Sequence, residues 1–158
     1  MLNKLLLNSA GAIGALVFLP LLVAETAPNP NLSGSWQVDP AKSQAADGKS
    51  LTLTIVQTAE NIKIEGVAKD SSKPAMHLNC KTDGSDCFFD DSGHKSKASI
   101  WSTGSELVIC KTDGPPGDLV NEWHMKVSSD NKTLTVQVEH IDPAAANETL
   151  VLAKKTAD

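Results

Sequence analysis

Three cysteines and four histidines are the residues of this 158-residue chain best suited to redox, metal or nucleophilic chemistry. Cys80 and Cys87 bracket Asp83-Gly84, a pair favoured in tight hairpin turns. A two-residue loop there sets Cys80 opposite Cys87, within reach of a disulfide. Such a bridge requires an oxidising compartment, and closing so short a loop contributes about 2 kcal/mol. Cys110 is left over, either as a small buried apolar residue or as a free thiol open to intermolecular pairing. His77, Cys80, Cys87 and His94 have the residue types of a zinc set. On one strand, however, His77 and Cys80 differ in parity and point to opposite faces. His94 falls in a polar stretch with Asp90 and Asp91 that reads as a loop. No metal site is therefore expected. The Asp86, Asp90, Asp91 group offers oxygen ligands for calcium but has the composition of an ordinary soluble loop.

Acid–base chemistry has a thinner basis. Glu122 and Glu139 fall opposite each other on two neighbouring predicted strands, on the polar face. Buried, such a pair forms a general acid and base; in water it is two ordinary carboxylates, and the outer face near Lys126 favours water. His124 lies on the same polar face and reads as solvated. His140 continues an apolar face near a strand end. The chain contains no nucleophile elbow, no His-Glu-x-x-His and no phosphate-cradling glycine loop. The expectation is a protein without catalytic residues and without a cofactor.

The elements that position these residues follow from composition and alternation. The formal charge is −5, every basic residue is a lysine, and no basic run could track a phosphate backbone, so nucleic acid is not an expected partner. Residues 1–24 have the layout of a secretory signal peptide: Lys4, an apolar stretch over residues 10–23 broken by Pro20, and the small residue Ala24. The apolar run is short for a membrane span. The mature protein is therefore expected to be secreted or periplasmic, with no stable membrane anchor after cleavage. Residues 25–31 read as a polar, proline-containing leader, and residues 32–158 as one domain.

From Leu32 onward no helix-period stretch of useful length occurs, although residues 40–47 suit one helical turn. Ten short alternating segments are predicted as strands, near 33–39, 50–58, 62–69, 75–81, 86–90, 96–102, 106–112, 119–128, 133–141 and 148–154. Turn chemistry sets their register. A loop at Asp130-Asn131 pairs Val127 with Leu134, Met125 with Val136 and Trp123 with Val138. A loop at Glu60-Asn61 pairs Ile55 with Gly66. A loop at Asp83-Gly84 pairs Leu78 with Phe89. Around Gly104, Ile100 shares a face with Leu107 and Ile109, and Trp101 shares the other with Val108 and Cys110; alternation alone leaves open which face is inward. Consecutive hairpins of this kind describe an all-β antiparallel meander, closing into an up-and-down barrel of eight to ten strands so that no edge is left bare. A two-sheet sandwich is the alternative.

The opening Leu32-Ser33-Gly34-Ser35-Trp36 resembles the Gly-x-Trp start of lipocalins and their relatives. The resemblance implies a barrel closed at one end by Trp36, with Gly34 allowing tight packing beside it, and an open end that admits small apolar ligands. The arginine that lipocalins pack over this tryptophan is missing, and Lys154 or Lys155 stands nearest its place. The longer LSGSWQVDPAKS, KSLTLTI and NKTLTVQVEH segments are similar to uncharacterised secreted bacterial proteins with lipocalin-like (calycin-type) barrels. The implied function is non-catalytic binding of a small hydrophobic molecule. A cavity would be lined by Leu53, Ile64, Met76, Trp123, Met125 and Val136; the same residues equally suit a filled core. A periplasmic protein-binding module such as a protease inhibitor is the alternative, by analogy of size and class. The partner to expect is thus either a small apolar ligand or a protein.

Overall fold

In the computed structural model, residues 30–44, 50–69, 71, 74–112 and 119–156 are described. The segments read as signal peptide (1–24) and most of the leader (25–29) lie outside these residues. Ten strands follow in chain order: β1 (Gly34–Val38), β2 (Leu51–Gln57), β3 (Asn61–Ala68), β4 (Met76–Lys81), β5 (Cys87–Asp91), β6 (His94–Ser102), β7 (Leu107–Thr112), β8 (Leu119–Val127), β9 (Thr133–His140) and β10 (Glu148–Lys154). Each pairs antiparallel with its neighbours in sequence, and β1 also pairs with β10, so the sheet is a closed barrel. Closure pairs the two backbone edges that an open meander would leave exposed. At the start of the stretch 40–47, read as suiting one helical turn, Lys42 and Ser43 both donate backbone N–H to the Asp39 carbonyl and close a single turn. Gln44 then bridges to Thr149, and 45–47 lie outside the described residues.

Side-chain alternation dictates what fills the barrel. Successive residues point to opposite faces, and on each strand the apolar set points inward: Trp36 and Val38, Leu53 and Ile55, Ile62 and Ile64, Leu78 and Cys80, Ile100, Leu107 and Ile109, Leu134 and Val136 form one continuous buried core. The Gly104 hairpin is settled by this core. Ile100, Leu107 and Ile109 face in, and Trp101 faces out.

The register of most hairpins is the one that turn chemistry predicts. Val127 faces Leu134, Met125 faces Val136 and Trp123 faces Val138. Leu78 faces Phe89, and Cys80 and Cys87 are joined in a disulfide with Cα atoms 5.6 Å apart. The β2–β3 hairpin differs. Thr58 N–H donates to the Asn61 carbonyl, so the loop is Ala59-Glu60 rather than Glu60-Asn61, and Ile55 faces Ile64 instead of Gly66. The shift is by two residues, which leaves every side chain on its predicted face. Gly66 then lies between Leu53 and Met76, where an added Cβ would come within 3.2 Å of Met76 Cβ. The absence of a side chain is what lets three strands pack at this point.

A second correction concerns His94. It does not lie in a loop with Asp90 and Asp91; it opens β6 and pairs with Asp91, the last residue of β5. Ser92 and Gly93 both have positive φ (55° and 92°), which makes a two-residue hairpin turn whose twist matches that of the strands.

One end of the barrel is sealed by Trp36. Its ring has no exposed surface, its Nε1 donates to the Leu32 carbonyl at 2.8 Å, and Lys154 Nζ lies 5.0 Å from the ring centre. A cation over an indole face is attracted by the ring's quadrupole, so Lys154 stands where the lipocalin resemblance places an arginine. Gly34 has φ of 146°, and a Cβ there would meet Lys154 Cε at 2.9 Å. The lysine crosses the barrel end directly over this bare backbone. Trp36→Ala is expected to destabilise the fold by about 3–5 kcal/mol, and Lys154→Ala by about 0.5–1 kcal/mol, measured as shifts in urea unfolding.

Candidate functional site

The two ends of the barrel differ in chemistry. At the Trp36 end the connections are tight turns, and the inward residues (Ile55, Ile62, Leu107, Leu134) are aliphatic and buried. At the other end lie the longer connections between β1 and β2, β3 and β4, β7 and β8, and β9 and β10. There the inward positions turn polar. Ser96 faces Phe89 across β5–β6, Lys111 faces Asn121 across β7–β8, and Asn121 faces His140 across β8–β9. His140 Nε2 lies 3.7 Å from Glu148 Oε1 on β10. This arc of polar groups sits above the aliphatic core.

The aromatic floor of the arc is Phe89 packed edge-on against Trp123, with ring centres 5.5 Å apart. Lys111 Nζ lies 5.3 Å from the Phe89 ring centre, so the ammonium reaches into the barrel mouth over an aromatic surface. Two buried polar atoms here have no hydrogen-bond partner: Ser96 Oγ and Asn121 Oδ1. Ser96 is 2% exposed and Asn121 9%. A buried polar group left unpaired costs about 1–3 kcal/mol. Both groups lie at inward positions toward the same end of the barrel as Lys111.

The six residues predicted to line a cavity distribute unevenly. Leu53, Ile64, Met125 and Val136 all point inward and are 0–1% exposed, so they pack against one another with almost no surface open to water. Met76 is 6% exposed, near the open end, and Trp123 is only partly buried. Trp123, Met76 and the partly buried Leu51 and Leu150 therefore border the mouth, and the other four form the floor beneath it. Ser96, Lys111 and Asn121 were not singled out from the sequence. The parity that places Ile100 and Ile109 inward also places Ser96 and Lys111 inward, so the signal was present once the face of the Gly104 hairpin was known.

The other sequence candidates separate. Asp90 Oδ1 accepts the Gly93 N–H at 2.9 Å and serves the turn. His77 is exposed on the outer wall, 3.7 Å from Glu65. Cys110 is unpaired, and burial, with the Glu122 carboxylate as a lesser cause, pushes its thiol above the usual range. His124 lies on the outer face as predicted, with its side chain 26% exposed and its Nε2 atom buried.

No protein-family model matches the chain, and no curated protein matches it. Solved structures do share its architecture. A mutant of the fluorescent protein UnaG superposes with a TM-score of 0.63 at 14% identity, covering 80% of this chain and 97% of its own. The REP1-NXSQ fatty acid transporter gives 0.61 at 11% identity, covering 80% and 98%. A Schistosoma mansoni fatty acid binding protein in complex with arachidonic acid gives 0.58 at 14% identity, covering 78% and 96%. The chain thus has the fold of these small closed barrels.

Replacing Ser96 with Ala removes an unpaired buried hydroxyl. Ser96→Ala is expected to raise stability by about 1 kcal/mol, read as a higher Tm. A fall in Tm would show that the hydroxyl is satisfied in solution.

Proposed function

We propose that this chain is an exported, non-catalytic carrier of a small apolar molecule with one polar group, bound at the open end of the barrel. The observation that carries this reading is the pair of unpartnered atoms, Ser96 Oγ and Asn121 Oδ1, beside the inward lysine Lys111. Between them these groups supply a hydroxyl, an amide and a cation, which suits a carboxylate or hydroxyl head. Trp123, Phe89, Met76, Leu51 and Leu150 supply the apolar contacts for the remainder of the molecule. Met76, at the rim of the mouth, is unbranched and adapts its shape readily, so a chain-like ligand makes room by displacing it. Two barrels of like fold are a fatty acid transporter and a fatty acid binding protein, which supports an anionic lipid as the first ligand class to try. Export is supported by the signal-peptide layout of residues 1–24 and by the Cys80–Cys87 disulfide, which suits an oxidising compartment.

A fluorescent fatty acid titrated into the purified protein is expected to bind saturably. Lys111→Ala should weaken that binding roughly tenfold or more, the worth of one charge-assisted contact. The same variant should change binding of the corresponding neutral alcohol far less. Absence of saturable binding for both probes removes the carrier reading.

A further inference from the structure

The outer wall carries a second cluster, on the face of the sheet turned away from the barrel interior. Glu122 and His124 are two apart on β8, so both side chains leave the same face. Glu139 on β9 is the direct cross-strand partner of Glu122. One donor atom from each of Glu122, His124 and Glu139 lies within 4.8 Å of the others. Donors about 2.1 Å from one tetrahedral ion are about 3.4 Å apart, the distance already found between His124 Nε2 and Glu122 Oε2, and rotation of the exposed Glu139 side chain closes the remaining gap.

Three further observations single this cluster out. First, His124 Nε2 is buried, lies 3.4 Å from Glu122 Oε2, and has no hydrogen-bond partner. Second, Glu106 Oε2 lies 3.7 Å from Nδ1, on the opposite side of the same ring. A carboxylate on that side, once it closes to hydrogen-bond distance, holds a metal-binding imidazole with Nε2 turned to the ligand position. Third, Lys126 pairs with Glu106 at 3.4 Å, and among the described residues no lysine lies in ion-pair contact with Glu122 or Glu139. Two directly opposed carboxylates without a cation repel each other. A groove of about 190 Å³ lined by Glu106, His124, Lys126, Thr135 and Gln137 borders His124 on the Glu106 side, and Glu139 is exposed on the other.

We infer that Glu122, His124 and Glu139 form a divalent transition-metal site, with Glu106 as a positioning residue behind His124. An imidazole nitrogen with two carboxylate oxygens suits zinc and its neighbours in the first transition row better than calcium or magnesium, which take oxygen alone. Three protein donors leave a fourth position open to water. The strands hold the three Cβ atoms at fixed spacing, so the site is largely formed before the ion arrives. It is independent of the ligand proposed for the barrel mouth, which lies on the other face of the sheet.

Calorimetric titration of zinc chloride into the purified protein in a non-chelating buffer tests this. One saturable site per chain is expected. His124→Ala and Glu139→Gln should each weaken zinc binding by at least about tenfold, and Glu106→Gln by about tenfold through loss of ring orientation. His77→Ala, which removes another outer-wall histidine beside a glutamate, should leave the affinity unchanged. Because Glu139 is exposed, Glu139→Gln keeps the test decisive if His124→Ala does not fold. Heat that never saturates, or wild-type affinity in Glu139→Gln, overturns the site.

Discussion

Ten strands each carry one apolar stripe, and closure gives all ten stripes the same place to go. An open sheet of this alternation would leave its stripe in water and its two edges unpaired. Joining β1 to both β2 and β10 removes both costs at once. The short strand β1 is the keystone of that closure. Its Trp36 faces Leu53 on one side and Lys154 on the other, and fills the barrel end where the stripes converge. Gly34 is demanded by the same contact, since its positive φ and bare α-carbon let Lys154 pass over the ring.

From this constraint follows the polarity of the molecule. The plugged end is tightly connected and aliphatic, so water is excluded and the side chains there lock one another. The far end carries the longer connections, apart from the two-residue Ser92-Gly93 turn. Polar inward residues are affordable there because they border solvent, yet Ser96 and Asn121 are drawn deep enough to lose water without finding a protein partner. The outer wall has its own order. Alternation that sends Trp123 and Met125 inward sends Glu122 and His124 outward together, and the β8–β9 register then sets Glu139 beside them. Two chemically different faces thus arise from one strand, β8.

Much of this was legible from residue order. Turn pairs such as Asp83-Gly84, together with clean two-faced alternation, suffice for the β4–β5 and β8–β9 registers and for the facing cysteines. The β2–β3 register is not legible in residue order, because a slip of two residues leaves both faces unchanged. Alternation cannot see it; only the fit of Gly66 between Leu53 and Met76 distinguishes the two. His94 was misplaced because Asp90 and Asp91 look like loop residues. Yet both alternate faithfully along β5, and Ser92-Gly93 is a sufficient turn by itself. The face of His124 is legible from alternation, whereas the burial of its Nε2 atom depends on which long side chains fold beside it.

The sequence by itself determined what is local: which segments are strands, which residues share a face, and which hairpins form. Period-two alternation and turn geometry act over a few residues, so they can be read from order alone. The tertiary structure decided which face of the Gly104 hairpin looks inward, how full the interior is, and that Lys111, Ser96 and Asn121 point inward at one end of the barrel while Glu106, Glu122, His124 and Glu139 gather on one wall. Those outcomes depend on strands distant in sequence sharing one closed volume, where side-chain size and the cost of unpaired polar groups act only once the barrel has formed.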